Sequence, residues 1–215
     1  DESEDIVNLT VDETGKVVGE LKMRSRGKIG QIIRQRARNP ENFKQVMQYR
    51  VNQLLPGAQM RDHKPIQVDD LYTPAEALIK FEHDSWVNRE GDQLRLPSIV
   101  DWSPKSSFQL EDRRFPLVLG HKRQWRWTLN AQLPHQFDLS HLPKDRKVGS
   151  ECLSIERRSE WFPKEKRLHI EWTYLTLCEQ LSPKEYLAHR PLARDMLQLL
   201  NEEIVLSPQP NLHKQ

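Results

Sequence analysis

The order of apolar and polar positions predicts a chain made mostly of strands. Residues 6–11 and 16–23 are rich in aliphatic and β-branched side chains and flank Asp12-Glu13-Thr14-Gly15, a turn cluster suited to closing a hairpin. Beyond Gly27, Ile29, Ile32 and Ile33 recur at helical spacing. Asn39-Pro40-Glu41 then supplies an N-cap, a proline at the first helical position and an early acid. Phe43, Val46, Met47, Val51, Leu54 and Leu55 follow as one apolar stripe, which Pro56-Gly57 ends.

Residues 57–70 read as polar and irregular. Ala77, Ile79 and Phe81 alternate before a possible turn at residues 89–92, and Leu94 and Leu96 follow it, which predicts a second hairpin. Residues 102–112 read as a loop, 114–119 as a short apolar run, and 123–133 as a half-buried strand. In that strand Trp125, Trp127, Leu129 and Ala131 share one face, which favours the core over a nucleic-acid platform. Residues 134–147 read as another loop. A last hairpin is expected with partners summing to 330, so that Leu153 faces Leu177, Ile155 faces Leu175, and Cys152 stands opposite Cys178. Ser182-Pro183-Lys184-Glu185 is a capping box, predicting a helix that is interrupted near Pro191 and resumes through Leu200; residues 203–206 are a candidate final strand. The fold class expected is therefore mainly β (α+β), an antiparallel β-sandwich-like domain with two or three accessory helices. Residues 1–207 form a single domain in this reading, and 208–215 a frayed tail.

Composition narrows the function classes. In 215 residues, 33 basic and 31 acidic side chains leave a formal charge of +2, too balanced to steer the whole molecule to nucleic acid or anionic lipid. A mean hydropathy of −0.79 implies a polar surface, and no run approaches a membrane span. The acidic start, with no initiator Met, reads as a mature or excised segment.

Candidate chemistry is sparse. Cys152 and Cys178 lack the paired spacing of a zinc site. They suit either a cross-strand disulfide or two reduced, packed thiols. His169 lies too far along the ladder from Cys152 to act as its base. His135, Asp138 and His141 share a loop and His83-Asp84 and Asp62-His63 add donors, but these spacings match no metal motif, and no metal or cofactor is expected. Arg24, Arg26, Lys28, Arg34, Arg36 and Arg38 form one basic stretch, and Arg113, Arg114, Lys122, Arg123 and Arg126 another. Trp86, Trp102 and Trp161 lie in or near loops, where they could stack on sugar rings.

The order of the pieces resembles a known family. Residues 8–12 with Gly15 and Gly19, Ser25-Arg26-Gly27 and the helix ending in Arg34 to Arg36 begin the match. Arg114-Phe115-Pro116, Leu133-Pro134, Leu142-Pro143, the strand at residues 153–157 and the Tyr174-bearing return strand continue it. Together they resemble the region that follows the catalytic core in bacterial transglutaminase-like proteins of the cell envelope, whose flanking domains have no assigned function. The resemblance implies an exported, periplasmic accessory domain, not itself an enzyme, beside a papain-like core with a Cys-His-Asp triad in the same parent chain. No counterpart of that triad can be placed here, so no catalytic residue carries over. An oxidising compartment would favour a bridge between the two cysteines. The functions expected are thus a structural or substrate-presenting module, a glycan-binding module using Trp86, Trp102 and Trp161 on cell-wall material, and, least expected, a single-strand nucleic-acid binder.

Overall fold

The computed structural model describes residues 1–100 and 107–209. The elements run β1 (Glu2–Val11), β2 (Val17–Ser25), α1 (Gly27–Ala37), α2 (Pro40–Leu54), β3 (Gln59–Ile66), β4 (Ala75–His83), β5 (Asn88–Glu90), β6 (Gln93–Leu96), β7 (Leu117–Val118), β8 (Arg123–Gln132), β9 (Phe137–His141), β10 (Arg146–Gly149), β11 (Leu153–Phe162), β12 (Arg167–Thr176), β13 (Gln180–Leu181), α3 (Pro183–Asn201) and β14 (Ile204–Pro208). Eight strands form one sheet in the order β10-β11-β12-β8-β1-β2-β4-β3; β5-β6-β14-β9 form a second, and β13-β7 a two-stranded ribbon. The fold is mainly β with three helices and antiparallel pairing, except that β1 and β8 run parallel. Among the described residues no helix is long and apolar enough to cross a membrane.

Local chemistry explains the elements. Asp12 Oδ1 accepts from the Thr14 and Lys16 amides at 2.8 and 3.0 Å, and Gly15 takes φ +88°, closing β1 onto β2. Gly19 must be glycine: a Cβ there would lie 2.7 Å from the Asn8 carbonyl oxygen and 2.8 Å from the Phe81 ring. The Asn39 side chain accepts from the amides of Glu41 and Asn42 to start α2. Ser182 and Glu185 form the reciprocal capping box of α3.

Alternation puts Val7, Leu9, Leu21, Ile79, Trp127, Leu129, Ile170 and Trp172 on one face of the large sheet. They join Leu94, Leu96, Ile204 and Leu206 of the small sheet and Phe43, Met47 and Val51 of α2 in one buried cluster. The opposite face is polar. There Asn130 Nδ2 donates to Asn8 Oδ1 at 2.8 Å, His169 Nδ1 lies 2.7 Å from Asn130 Oδ1, and Arg126 reaches Glu4 and Glu171.

Two buried guanidinium groups tie helices to the sheet. Arg50 of α2 pairs with Asp5 of β1, and Trp125 Nε1 donates to the same carboxylate at 2.9 Å. Arg50 also lies over the Trp125 ring, 5.2 Å from its centroid. Arg157 of β11 donates to the Leu199 carbonyl in the last turn of α3 at 2.7 Å, to the Lys144 carbonyl at 2.7 Å, and to Glu202 at 2.5 Å.

Several expectations need correction. The 57–70 and 134–147 segments are not loops throughout: they contain β3 and β9, and the second ends in the start of β10. Residues 75–83 do not pair across the 89–92 turn. β4 lies between β2 and β3 in the large sheet, and the turn closes β5 onto β6 in the small one. The last hairpin is one residue out of the expected register, with Leu153 facing Thr176, Ile155 facing Tyr174 and Arg157 facing Trp172. The reason is the third strand. β8 sets Ile170 against Leu129 and Trp172 against Trp127, so the even-numbered side of β12 goes inward and Leu175 and Leu177 do not. α3 runs unbroken through Pro191, which lies exposed on the solvent side, one turn after exposed Leu187. Pro208 closes β14 and the Gln209 amide donates to the Gln136 carbonyl at 2.9 Å, so the ordered chain passes the expected boundary at 207; the remainder of the tail, 210–215, lies outside the described residues.

Removing the Arg50 guanidinium while Asp5 stays buried should cost about 3–5 kcal/mol. In urea denaturation, Arg50→Ala should lose most of that amount and Asp5→Leu/Arg50→Met should recover much of it; an Arg50→Ala protein as stable as the parent would contradict this role. Acid should also weaken the fold. Hydrogen bonds from Lys166 and Gln209 hold the Asp138 carboxyl below its ordinary range, and one from Ser182 does the same for Glu185. Their folded pKa values lie below the unfolded ones, so their contribution is present above the ordinary carboxylate range and is lost as pH falls through the folded values. Melting curves from pH 7 to pH 3, monitored by circular dichroism, should show a smaller acid-induced fall in Tm for Asp138→Asn than for the parent.

Candidate functional site

The chemistry-bearing residues gather where β11 begins, β12 ends and α3 starts. Cys152 and Cys178 are joined as a disulfide with their Cα atoms 4.8 Å apart. They lie just beyond the ends of the β11–β12 ladder, and the Leu177 amide donates to the Cys152 carbonyl at 2.8 Å. Because of the register change the cysteines are not a directly opposed pair; the bridge crosses the ladder end diagonally.

Beside it, Ser150 Oγ lies 2.8 Å from His189 Nε2, and His189 Nδ1 lies 2.7 Å from the Glu185 carbonyl oxygen. A carbonyl only accepts, so Nδ1 carries the hydrogen and Nε2 accepts from the serine hydroxyl. This is the relation of a nucleophile to its base. Ser150 Oγ also accepts from the amides of Cys152 at 3.1 Å and Leu153 at 3.2 Å, which engages both lone pairs and depresses its nucleophilicity. The pair therefore works as a staple, pinning the second turn of α3 to the turn between β10 and β11.

The same end of the molecule carries exposed apolar side chains. β13 and β7 pair as Gln180–Val118 and Leu181–Leu117, and the amides of Leu119 and Gly120 donate to the Glu179 carbonyl at 2.8 and 3.1 Å. Leu181 is buried and anchors the ribbon. Val118 is 73% exposed, and with Leu177, His121 and Lys122 it lines a shallow cleft of about 790 Å³. Residues 108–115 lie across α3 like a strap. Phe108 stacks on Tyr186 with centroids 5.4 Å apart, the Tyr186 hydroxyl donates to the Leu110 carbonyl at 2.8 Å, and Arg190 donates to the Glu111 carbonyl at 3.1 Å. The strap and helix leave Leu110, Leu187 and Phe115 exposed, the last at 77%.

The tryptophans expected to stack on sugars do not form a platform. Trp86 is only 4% exposed and belongs to the core cluster: in the segment linking β4 of the large sheet to β5 of the small one, Asp84 and Ser85 stay exposed while Trp86 and Val87 turn inward. Trp161 lies on the inward side of β11, half-buried against the same cluster. Trp102 lies outside the described residues. Trp125 and Trp127 do face inward, with parallel rings 5.6 Å apart. Sequence reasoning missed Val118, Leu177 and Leu187 as surface groups. An apolar residue in a strand or helical stripe looks like core, and only the third strand and the strap determine otherwise. No group of three or more potential metal ligands occurs among the described residues. Asp138 instead binds Lys166, and His83 Nε2 lies 2.8 Å from the Pro56 carbonyl oxygen.

No protein-family model matches the chain, and no curated protein matches it. Among solved structures, a Parabacteroides distasonis protein described as a candidate protease is similar at 15% sequence identity with a TM-score of 0.43. That likeness covers 55% of this chain, which spans 24% of the length of the other.

Closing a loop across a 26-residue separation should stabilise the fold by about 3 kcal/mol. In urea denaturation Cys152→Ser/Cys178→Ser should lose about that much unfolding free energy, and the parent should show the same loss after reduction. A thiol assay on the unreduced, denatured parent that finds two free thiols would contradict the bridge.

Proposed function

We propose that this chain is a non-catalytic accessory domain of a transglutaminase-like protein, and that it packs against the catalytic core of the same parent chain or presents substrate to it. The observation that carries the reading is the exposed apolar surface around the disulfide. Phe115, Val118, Leu177 and Leu187 are exposed together at the end of the molecule where the bridge, the Ser150–His189 staple and the strap over α3 hold the backbone in place. Rigidly presented apolar side chains suit a partner surface, because little order has to be imposed on binding. The side chains beside this surface support a structural role: both sulfurs are consumed in a bond and the Ser150 oxygen is saturated by amides. The disulfide also supports export to an oxidising compartment such as the periplasm. The burial of Trp86 leaves glycan stacking without its expected platform.

The test uses the catalytic segment of the parent gene expressed separately. Titration calorimetry should detect its association with this chain, and Val118→Ser/Leu177→Ser should weaken it roughly tenfold, the effect of losing one buried apolar contact or two partial ones. The chain alone should show neither transamidase nor peptidase turnover. Turnover by the purified chain, or association that is indifferent to both substitutions, would overturn the reading.

A further inference from the structure

The basic stretch around α1 has no part in the surface just described, and it is unusually uncompensated. Between Glu20 and Glu41 the sequence carries seven cations and no anion. Lys22 and Arg24 pair with Glu76, and Arg34 donates to the carbonyls of Asp70 and Thr73. Arg26, Lys28, Arg36 and Arg38 are all exposed, and no described carboxylate lies within ion-pair distance of any of them. Helix electrostatics account for only part of this. Arg34 and Arg36 sit in the last turn, where the dipole favours cations. Arg26 and Lys28 sit at the opposite end, where it disfavours them, and the first turn of α1 contains no acid. The Lys28 amide is capped from outside the helix, by Asp1 Oδ1 at 3.1 Å.

A concave surface adjoins these charges. Lys28, Ile32 and Arg36 follow one another at four-residue spacing along the solvent face of α1. On the neighbouring face, Gln31, Gln35, Arg38 and Ala37 line one side of a cleft of about 540 Å³, and Val68, Asp69 and Leu71 line the other. Leu71 is 76% exposed and Tyr72 beside it 96% exposed. The surface thus offers cations on the helix, side-chain amides for a peptide backbone, and a cleft of mixed lining, with Arg34 and Asp69 at its sides, in which Ala37, Val68 and Leu71 form an apolar patch able to take a side chain.

We propose that this face of α1 is a docking site for an acidic peptide segment, with its carboxylates on Lys28, Arg36 and Arg38 and an apolar side chain in the cleft against Leu71 and Val68. A concave cleft favours a peptide over a lipid surface, which is flat on this scale and cannot enter it. The cleft shares no lining residue with the disulfide surface, although Asp1, which caps Lys28, also donates to the Lys122 carbonyl at 3.0 Å at the edge of that surface.

Fluorescence anisotropy of the chain with a fluorescein-labelled, glutamate-rich peptide carrying a central leucine tests this directly. Binding should be measurable at low salt and should weaken as salt rises through the range where the Debye length falls below about 10 Å. Replacing glutamate by glutamine in the probe, or Lys28, Arg36 and Arg38 by glutamine in the protein, should each weaken it about tenfold or more, three partly exposed ion pairs being lost. Leu71→Ser should weaken binding of the leucine probe but not of the same peptide with alanine at its centre. Lys44→Gln, on α2, should change nothing. Equal binding of the glutamate and glutamine probes, or a triple variant that melts like the parent and binds like it, would overturn the proposal. So would co-sedimentation with phosphatidylglycerol vesicles without peptide binding. Because this experiment uses the chain alone, its failure is distinct from failure to bind a catalytic segment.

Discussion

The parallel pairing of β1 with β8 is the constraint on which the rest of the molecule depends. The two strands are about 120 residues apart in sequence, yet their rungs run in step from Glu2–Gln124 to Thr10–Gln132. Each is also the inner edge of an antiparallel block, β1 leading to β2, β4 and β3, and β8 to β12, β11 and β10. A parallel pair cannot be joined by a tight turn, so the chain between them has to travel, and it carries both N-terminal helices and the first half of the small sheet on the way. The seam sets the parity of the strands that pair outward from it in the large sheet. Once Val7 stands beside Leu129 and Leu9 beside Ala131, alternation carries the inward face outward from strand to strand until the β3–β4 pair, where a register shift between Met60 and Asp62 changes it.

Buried charge helps to hold that seam. Asp5 receives the Trp125 indole from across the seam and the Arg50 guanidinium from α2, so one carboxylate joins both halves of the sheet and a helix. Arg157 does the equivalent on the far side by binding the end of α3. Ions of this kind are poor sources of net stability, but they are exacting about geometry: a helix shifted by one turn would leave a guanidinium stranded in an apolar interior. The precision that results extends to the surface near α3, where the disulfide, the staple and the strap leave little freedom to the apolar side chains they present.

Elements governed by their own residues were legible from the sequence. The first hairpin follows from Asp12 and Gly15, α2 from Asn39 and Pro40, and the start of α3 from Ser182 and Glu185, because in each the hydrogen bonds that define the element are made within a few residues of it. The inward set of β8 was legible for the same reason, since alternation is a local property. β3 was not, because its polar residues show no apolar face and its place is set by pairing with β4, through the backbone ladder and the Arg61–Glu82 ion pair. Of the candidate site, the proximity of the two cysteines could be foreseen from a hairpin of the right length, and the basic stretch around α1 could be read directly.

Which face each side chain met was decided only in three dimensions. Taken in isolation the last hairpin favours the register that sets Leu153 against Leu177; β8, more than thirty residues upstream of β12, selects instead the one that buries Trp172 and Tyr174 and turns Leu177 outward. Trp86 turned to the interior where the chain leaves the large sheet for the small one, and Val118 to the surface because its ribbon rests on buried Leu117 and Leu181. The sequence by itself determined the mainly β class, the helix caps and the distribution of charge, all of which arise from near neighbours along the chain. Tertiary structure decided register, burial and the exposed surfaces, because those depend on which distant strand supplies the other side of each contact.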